Sequence, residues 1–362
     1  TSVSQILEQI VNACISVFAT WQFMNMYGTS KHAASYAAAG GTLGTLAGAA
    51  IALLFIMYLF GTTRKRYMNK VNPGEQIESS SSIYRGLFLT IIPVILSQTV
   101  YQIGYTIDDL MFGNLMALHE YKDEVVSSLQ GVYNAQYNQL VNLPVAVATA
   151  MAASTLPSIV LSRMQNDIQG VNQKITQVIK VNMVIAFPSA VGLAVLAEPI
   201  MKMLFPSLVT YQTQAIMLLT TGSSAVVFYA LSTLTTSILQ GYNFMKLPVI
   251  HSAVSLGIHV ALLGILLIFT DLNVYALVIC NVIFPLIVSM LNCRAITRKI
   301  GYRWEYLNTF IKPLTASAAM GVVAFAVYQV FYEAFKNVYI VSVMAIGAAV
   351  IVYAVMILQI RC

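Results

Sequence analysis

Runs of twenty or more apolar residues, almost free of charge, recur along the whole chain, and a sequence of that kind has few ways to fold. Hydrocarbon contains no water to bond stray N–H and C=O groups, so a spanning segment must close its hydrogen bonds inside a helix or a sealed barrel. Reading for stretches of about 20 apolar residues, the length a crossing helix needs, gives ten runs, near residues 4–24, 35–60, 84–114, 127–161, 177–205, 212–240, 247–269, 273–293, 309–334 and 337–360. A barrel strand needs only about 10 residues and is followed by a hairpin turn, a pattern these runs do not show. Composition agrees, with 58% hydrophobic and 9% charged residues against roughly 25% charged in a soluble domain. The predicted fold class is all-α, a polytopic membrane helix bundle of about ten transmembrane helices.

Charge placement tests the count separately. With the first residues on the cytoplasmic side, the inner gaps hold Arg64, Lys65, Arg66, Lys70, Arg85, Arg163, Lys174, Lys180, Lys246, Arg294, Arg298, Lys299, Arg303, Lys312 and Arg361. The outer gaps hold only Lys31, Lys122, Lys202 and Lys336. Cationic loops stay in the cytoplasm, so both ends of the sequence are expected there, in a cell membrane. The net charge of +6 follows from that bias and points to anionic lipid at the inner leaflet rather than to nucleic acid. Cys14, Cys280, Cys293 and Cys362 offer no outward-facing pair for a disulfide and no ligand spacing for a metal. There is no G-x-x-x-x-G-K-[ST] loop for a nucleotide. The sequence has no initiating Met and opens almost directly on a helix, so it reads as a piece whose amino-terminal part is absent.

Polar residues inside the runs are not scattered. From Ser97 to Asp109 in the third run, Gln98, Tyr101, Gln102, Tyr105, Asp108 and Asp109 share roughly a third of a helix circumference at about 100° per residue. Such a stripe faces water in a cavity or the polar groups of another helix. Asp108 and Asp109 are candidates for holding Na⁺ or a proton, with neutral oxygens from Ser255 and Asn281 on the seventh and eighth runs; the competing reading is a solvated helix end. On the first run Gln5, Glu8, Gln9, Asn12 and Ser16 share a face, as an inner gate or as an interfacial carboxylate with its neighbours. The fourth run opens on Gln130-Gly-Val-Tyr-Asn-Ala-Gln-Tyr-Asn-Gln and enters from the outer side, beside Asp108 and Asp109. His251, Ser252, Ser255 and His259 form a partial polar face suited to proton relay or to interhelical hydrogen bonds. Pro144, Pro157 and Pro188 are positions for bends.

The run from Pro188 to Phe205 (PSAVGLAVLAEPIMKMLF), together with Leu239-Gln-Gly and the opening Ser4-Gln-Ile-Leu-Glu-Gln, resembles the stage V sporulation protein B and polysaccharide-export branch of the multidrug/oligosaccharidyl-lipid/polysaccharide (MOP) flippase superfamily. Tyr105-Thr-Ile-Asp and the stretch from Leu143 to Ser158 add to the likeness, which extends over essentially the whole chain. The resemblance implies a MOP/MATE-like bundle with two six-helix lobes and two further helices, lacking its first four helices here. Residues 1–60 would then be two helices of the amino-terminal lobe, 61–84 a cytoplasmic linker, 85–300 the carboxy-terminal lobe and 301–362 the added pair. It also implies a non-enzymatic flippase for lipid-linked saccharide precursors of peptidoglycan or polysaccharide, working by alternating access without a cofactor. Gln98, Tyr101, Gln102 and Tyr105, with Gln5, Glu8, Gln9 and Asn12, would line its cavity. The alternatives are a MATE-type multidrug or cation antiporter and a non-transporting scaffold in envelope assembly. Oligomeric state is not readable from the sequence.

The charge pattern predicts that Lys65→Cys, in a chain whose native cysteines are replaced by serine, reacts with a membrane-impermeant thiol reagent only from the cytoplasmic side. Labelling from outside the cell would overturn the topology.

Overall fold

The computed structural model describes residues 2–30, 32–68, 79–165 and 167–360, and among them every regular element is a helix. Two compact units emerge, Thr1–Ile83 and Tyr84–Cys362.

The first unit is a hairpin of α1 (Ser2–Tyr27) and α2 (Ala33–Met68). Gly40, Gly44, Gly48 and Ala52 recur every fourth residue of α2 and are all buried. A Cβ on Gly40 would lie 2.7 Å from the Thr20 backbone nitrogen, one on Gly44 2.6 Å from the Asn12 carbonyl, and one on Gly48 2.8 Å from the Glu8 carbonyl. Small residues at this spacing let two helix backbones approach until dispersion and hydroxyl bonds hold them, which is how helices associate where no water drives them together. Accordingly Ser16 Oγ donates to the Gly41 carbonyl at 2.9 Å and Thr20 Oγ1 to the Ala37 carbonyl at 3.2 Å.

The second unit begins within α3 (Ser80–Leu118) and continues through α4 (Asp123–Gly131) and α5 (Asn138–Met164), which a π-helical turn over Val132–Tyr137 joins into one span. Then follow α6 (Ile168–Val195), the short α7 (Ala197–Leu204), α8 (Gln212–Gly222), α9 (Ala225–Gly241), α10 (Lys246–Phe269), α11 (Val274–Ile300), α12 (Lys312–Phe335) and α13 (Val338–Gln359). Local chemistry sets several boundaries. The Asp167 carboxylate caps α6 by accepting from Gly170 N at 2.9 Å, and Asn337 caps α13 by accepting from Tyr339 N and Ile340 N. Gly301, at φ +76°, ends α11 in the left-handed conformation that glycine adopts without strain.

α9 is the hub. Most of its residues are buried, and it packs on α5, α6 and α11 with Leu234, Ile238 and Leu239 at the centre. The α12–α13 pair forms a satellite core of Met320, Ala324, Tyr328, Val341 and Ala345 against α6, where Tyr353 Oη donates to the Val184 carbonyl at 2.6 Å.

Among the described residues eight helices are long and apolar enough to cross a membrane, and nine spans result if α8 and α9 count as one. The sequence reading of ten also included α1, whose polar residues leave it less apolar than the others. Within the expected linker 61–84, α2 continues to Met68 and α3 begins at Ser80; residues 69–78 lie outside the described residues. α5 and α6 run on as single helices through Pro144, Pro157 and Pro188. The marked bend instead falls between α8 and α9, at 47°.

That bend has a cause in packing. It frees the Gly222 carbonyl, and Tyr137 Oη donates to it at 3.1 Å. The tyrosine ring lies where a Cβ on residue 222 would be, and Tyr137 is fully buried, so it has no room to yield. Gly222→Ala is therefore expected to cost about 1–3 kcal/mol by overpacking, read as a lower thermal unfolding midpoint in detergent. An unchanged midpoint would show that the ring is not wedged against the bend.

Candidate functional site

α3 turns Gly104, Asp108, Phe112 and Met116, one per turn, into the core of the second unit. Its backbone makes no extended close approach to any neighbouring element among the described residues. Side chains reaching across hold it instead. The stripe expected on this helix is thereby divided: Asp108 is buried, Tyr101 and Tyr105 are half-buried, and Gln102 and Asp109 are exposed. The Gln98 side chain lies outside the described residues.

Asp108 is 2% exposed and meets His259 of α10, itself 4% exposed, at 2.5 Å between Oδ1 and Nε2. The other ring nitrogen of His259, Nδ1, faces the Cys280 carbonyl of α11 at 3.1 Å. Phe284 stands edge-on to the imidazole at 5.9 Å and to the Tyr101 ring at 5.0 Å. Asn281, also on α11, donates from Nδ2 to Tyr229 Oη at 3.2 Å, and its Oδ1 lies 3.1 Å from Tyr137 Oη. These groups enclose a cavity of about 10 Å³ between Asp108, Tyr105, Tyr229, His259 and Asn281, room for about one water.

The structure places Asp108 and Asn281 on the walls of one cavity and leaves two other candidates outside it. Ser255 is buried, but its hydroxyl donates to the His251 carbonyl of its own helix at 2.7 Å. Asp109, about 100° around α3 from Asp108, forms a separate rim with the start of the fourth run: Asn134 Nδ2 donates to Asp109 Oδ1 at 2.9 Å and Gln130 Nε2 to the Asp109 carbonyl at 2.8 Å. Neither acid lies at a helix end, because α3 continues past both to Leu118; Asp108 is buried and Asp109 exposed.

A second buried polar cluster lies two turns along α10. His251 Nδ1 is 2.7 Å from Asn292 Oδ1, and Asn292 Nδ2 donates to Thr235 Oγ1 and Thr236 Oγ1. In the first unit, Asn12 accepts from Ser16 Oγ at 3.0 Å and both face α2. Glu8 is half-buried beside Gly48 and Gln9 is exposed, whereas the Gln5 side chain lies outside the described residues. Glu198 and Lys202, in α7 outside the spans, pair at 2.6 Å; the hydrogen bond that the ammonium donates to the carboxylate raises Lys202 above its usual value. Among the described residues no group of three His, Cys, Asp or Glu side chains is placed to hold a metal ion.

His259, Tyr229 and Tyr137 complete the site; His259 was part of the polar α10 face and Tyr137 of the polar opening of the fourth run. Tyr229 gave no more than an aromatic residue in an apolar run, and nothing local marks either tyrosine as a partner of Asn281.

A family model described as "Lipid II flippase MurJ" matches residues 1–359. The chain belongs to that family. Lipid II flippase MurJ of Bacillus subtilis (strain 168) is 22% identical over 98% of this chain and 66% of its own length. The uncharacterized membrane protein YabM of the same organism is 24% identical over 72% of this chain and 46% of its length. The chain therefore spans about two thirds of the first relative and less of the second. A solved structure of lipid II flippase MurJ in an inward closed conformation shares the fold, with a TM-score of 0.63 at 16% identity, over 97% of this chain and 67% of that one. This MurJ-family chain is accordingly a multi-pass membrane protein.

The hydrogen bonds around Asn281 predict coupling between its partners. Tyr137→Phe and Asn281→Leu should each lower thermal stability, and the double variant should lose less than the sum of the two, by about 0.5–3 kcal/mol. Strictly additive losses would show that the two side chains do not support each other.

Proposed function

We propose that this chain moves a lipid-linked saccharide precursor of the cell wall across the cell membrane, by alternating access, with both ends of the sequence in the cytoplasm. The match of the family model to residues 1–359 carries this reading. The physical problem explains the rest. A saccharide on a lipid carrier has a polar head that cannot cross hydrocarbon unaided, and a tail that has no reason to leave it. The protein must offer the head a polar path beside an apolar one.

Within the second unit both kinds of surface are present. Gln102 and Asp109 are exposed on α3, and we assign them to the head-group path. An apolar groove of about 640 Å³, lined by Leu143, Pro144, Pro188, Ile346 and Val350 among others, runs between α5, α6, α12 and α13 and suits a lipid tail. The finer placement in the stage V sporulation protein B branch rests on the residues from Pro188 to Phe205, Leu239-Gln-Gly and the opening Ser4 to Gln9.

The test is a vesicle assay with the reconstituted protein, comparing a fluorescent lipid-linked disaccharide pyrophosphate with a lipophilic cationic dye. The labelled saccharide lipid is expected to exchange between leaflets only in vesicles that contain the protein, with the dye unaffected. Movement of the dye alone, or of neither, would overturn the proposal.

A further inference from the structure

The Asp108–His259 contact has more donors and acceptors to satisfy than two ordinary side chains at neutral pH can supply. The Cys280 carbonyl can only accept, so His259 Nδ1 carries a hydrogen and donates to it. Nε2 then faces the Asp108 carboxylate at 2.5 Å. A neutral imidazole with its hydrogen on Nδ1 has only a lone pair on Nε2, and an ionised carboxylate has only lone pairs. Two lone pairs do not make a contact of that length. One further hydrogen must lie between them, on Nε2 or on the carboxyl.

We propose that Asp108 and His259 together form a binding site for one exchangeable proton, selective against hard cations, and that the proton fastens α3 to α10 and α11. Selectivity follows from the surroundings. A hard cation gathers several oxygen ligands, but the one carboxylate on the cavity wall is directed at the His259 imidazole, and Leu256 and Phe284 make part of the remaining lining apolar. Of the neutral oxygens nearby, Tyr229 Oη accepts from Asn281 Nδ2, and Asn281 Oδ1 shares the single Tyr137 hydroxyl hydrogen with the Gly222 carbonyl. The titratable groups around the pair are Tyr105 and Asp109 on α3, Tyr133 in the π-helical turn, Tyr229 on α9 and Cys280 on α11. No Lys or Arg lines the cavity, so loss of the proton leaves a buried carboxylate with no cation to face.

The structural consequence has a defined sign. At low pH the proton is present and the bridge is closed; as pH rises past the point of release, the carboxylate and the imidazole lone pair repel and α3 is freed. α3 is held by side chains rather than by close backbone packing, and this contact is one of its polar ties, beside His119 to the Leu267 carbonyl and the buried Phe112 and Met116. If the protein is a flippase, as proposed above, release and rebinding of this proton couple its cycle to a pH gradient.

Two measurements on the wild-type protein in lipid bilayers test the site and the coupling separately. Nitrogen NMR of ¹⁵N-histidine-labelled protein, with the His259 signals assigned by their loss in His259→Asn, should show one titration step that Asp108→Asn abolishes or shifts and that exchanging about 200 mM K⁺ for Na⁺ leaves in place, the equal ionic strength keeping screening the same. Absence of a step, or its displacement by Na⁺ but not by K⁺, would overturn the proton site whatever the protein transports. Exchange of the lipid-linked saccharide should then respond to an imposed pH gradient, with an accumulation ratio of up to about tenfold per pH unit for one proton per cycle, and not to a Na⁺ gradient. A titrating His259 with exchange indifferent to pH gradients would overturn the coupling. A titrating His259 with no saccharide movement under any condition would uphold the proton site and defeat the flippase reading instead.

Discussion

A polar group buried between these helices has little but the protein itself to bond to. The solvent around the helices is hydrocarbon, which accepts and donates nothing, so an unmet donor or acceptor there keeps its full desolvation cost. That constraint explains the helices themselves, and then the way they are tied. Asn281 joins α11 to the π-helical turn and α9, Asn292 joins α11 to α9 and α10, and Asp108 joins α3 to α10. Even the bend between α8 and α9 exposes a carbonyl that Tyr137 promptly occupies. The hub helix α9 is buried on nearly all sides because these ties converge on it.

The two units answer the same constraint differently. In the hairpin, glycines bring α1 and α2 so close that the backbones themselves make the interface, and Ser16 and Thr20 bond directly to carbonyls of the other helix. In the larger unit the helices stand further apart and Asn, His and Tyr side chains reach across. The first arrangement is hard to pull apart without losing many small contacts together. The second depends on a few long, directional links, one of which holds a titratable pair.

Fold class was legible because it depends on run length, a local property, whereas the count of ten spans was not, since α1 is long enough but less apolar than the helices that qualify. The polar stripe on α3 was legible as an angle, yet the angle does not say which edge of the stripe turns inward; burial sent Asp108 to the core and Gln102 out. His259 lies 151 residues from Asp108 in the sequence, and no local pattern records that they touch. Ser255 and Asn281 looked alike as buried oxygens, but a serine in a helix can satisfy its hydroxyl on the carbonyl four residues back, whereas an asparagine two-faced with donor and acceptor must be met from other helices. The spacing of Gly40, Gly44 and Gly48 is a readable signal for close helix packing. The bend at Gly222 and the π-helical turns are not, since each depends on what packs against it.

The π-helical turn at Val132–Tyr137 holds one residue more than an α-helical path between the same points would use. The surplus rotates everything after it by about 100° relative to everything before it. The buried face of α4, carried by Val126 and Leu129, and that of α5, carried by Leu140, Val141 and Ala148, therefore belong to two different phases of a single continuous rod. A relative that lacks the turn would need a one-residue deletion there to keep both faces inward, so a lone gap in this stretch of an alignment is a record of helix geometry rather than of a loop.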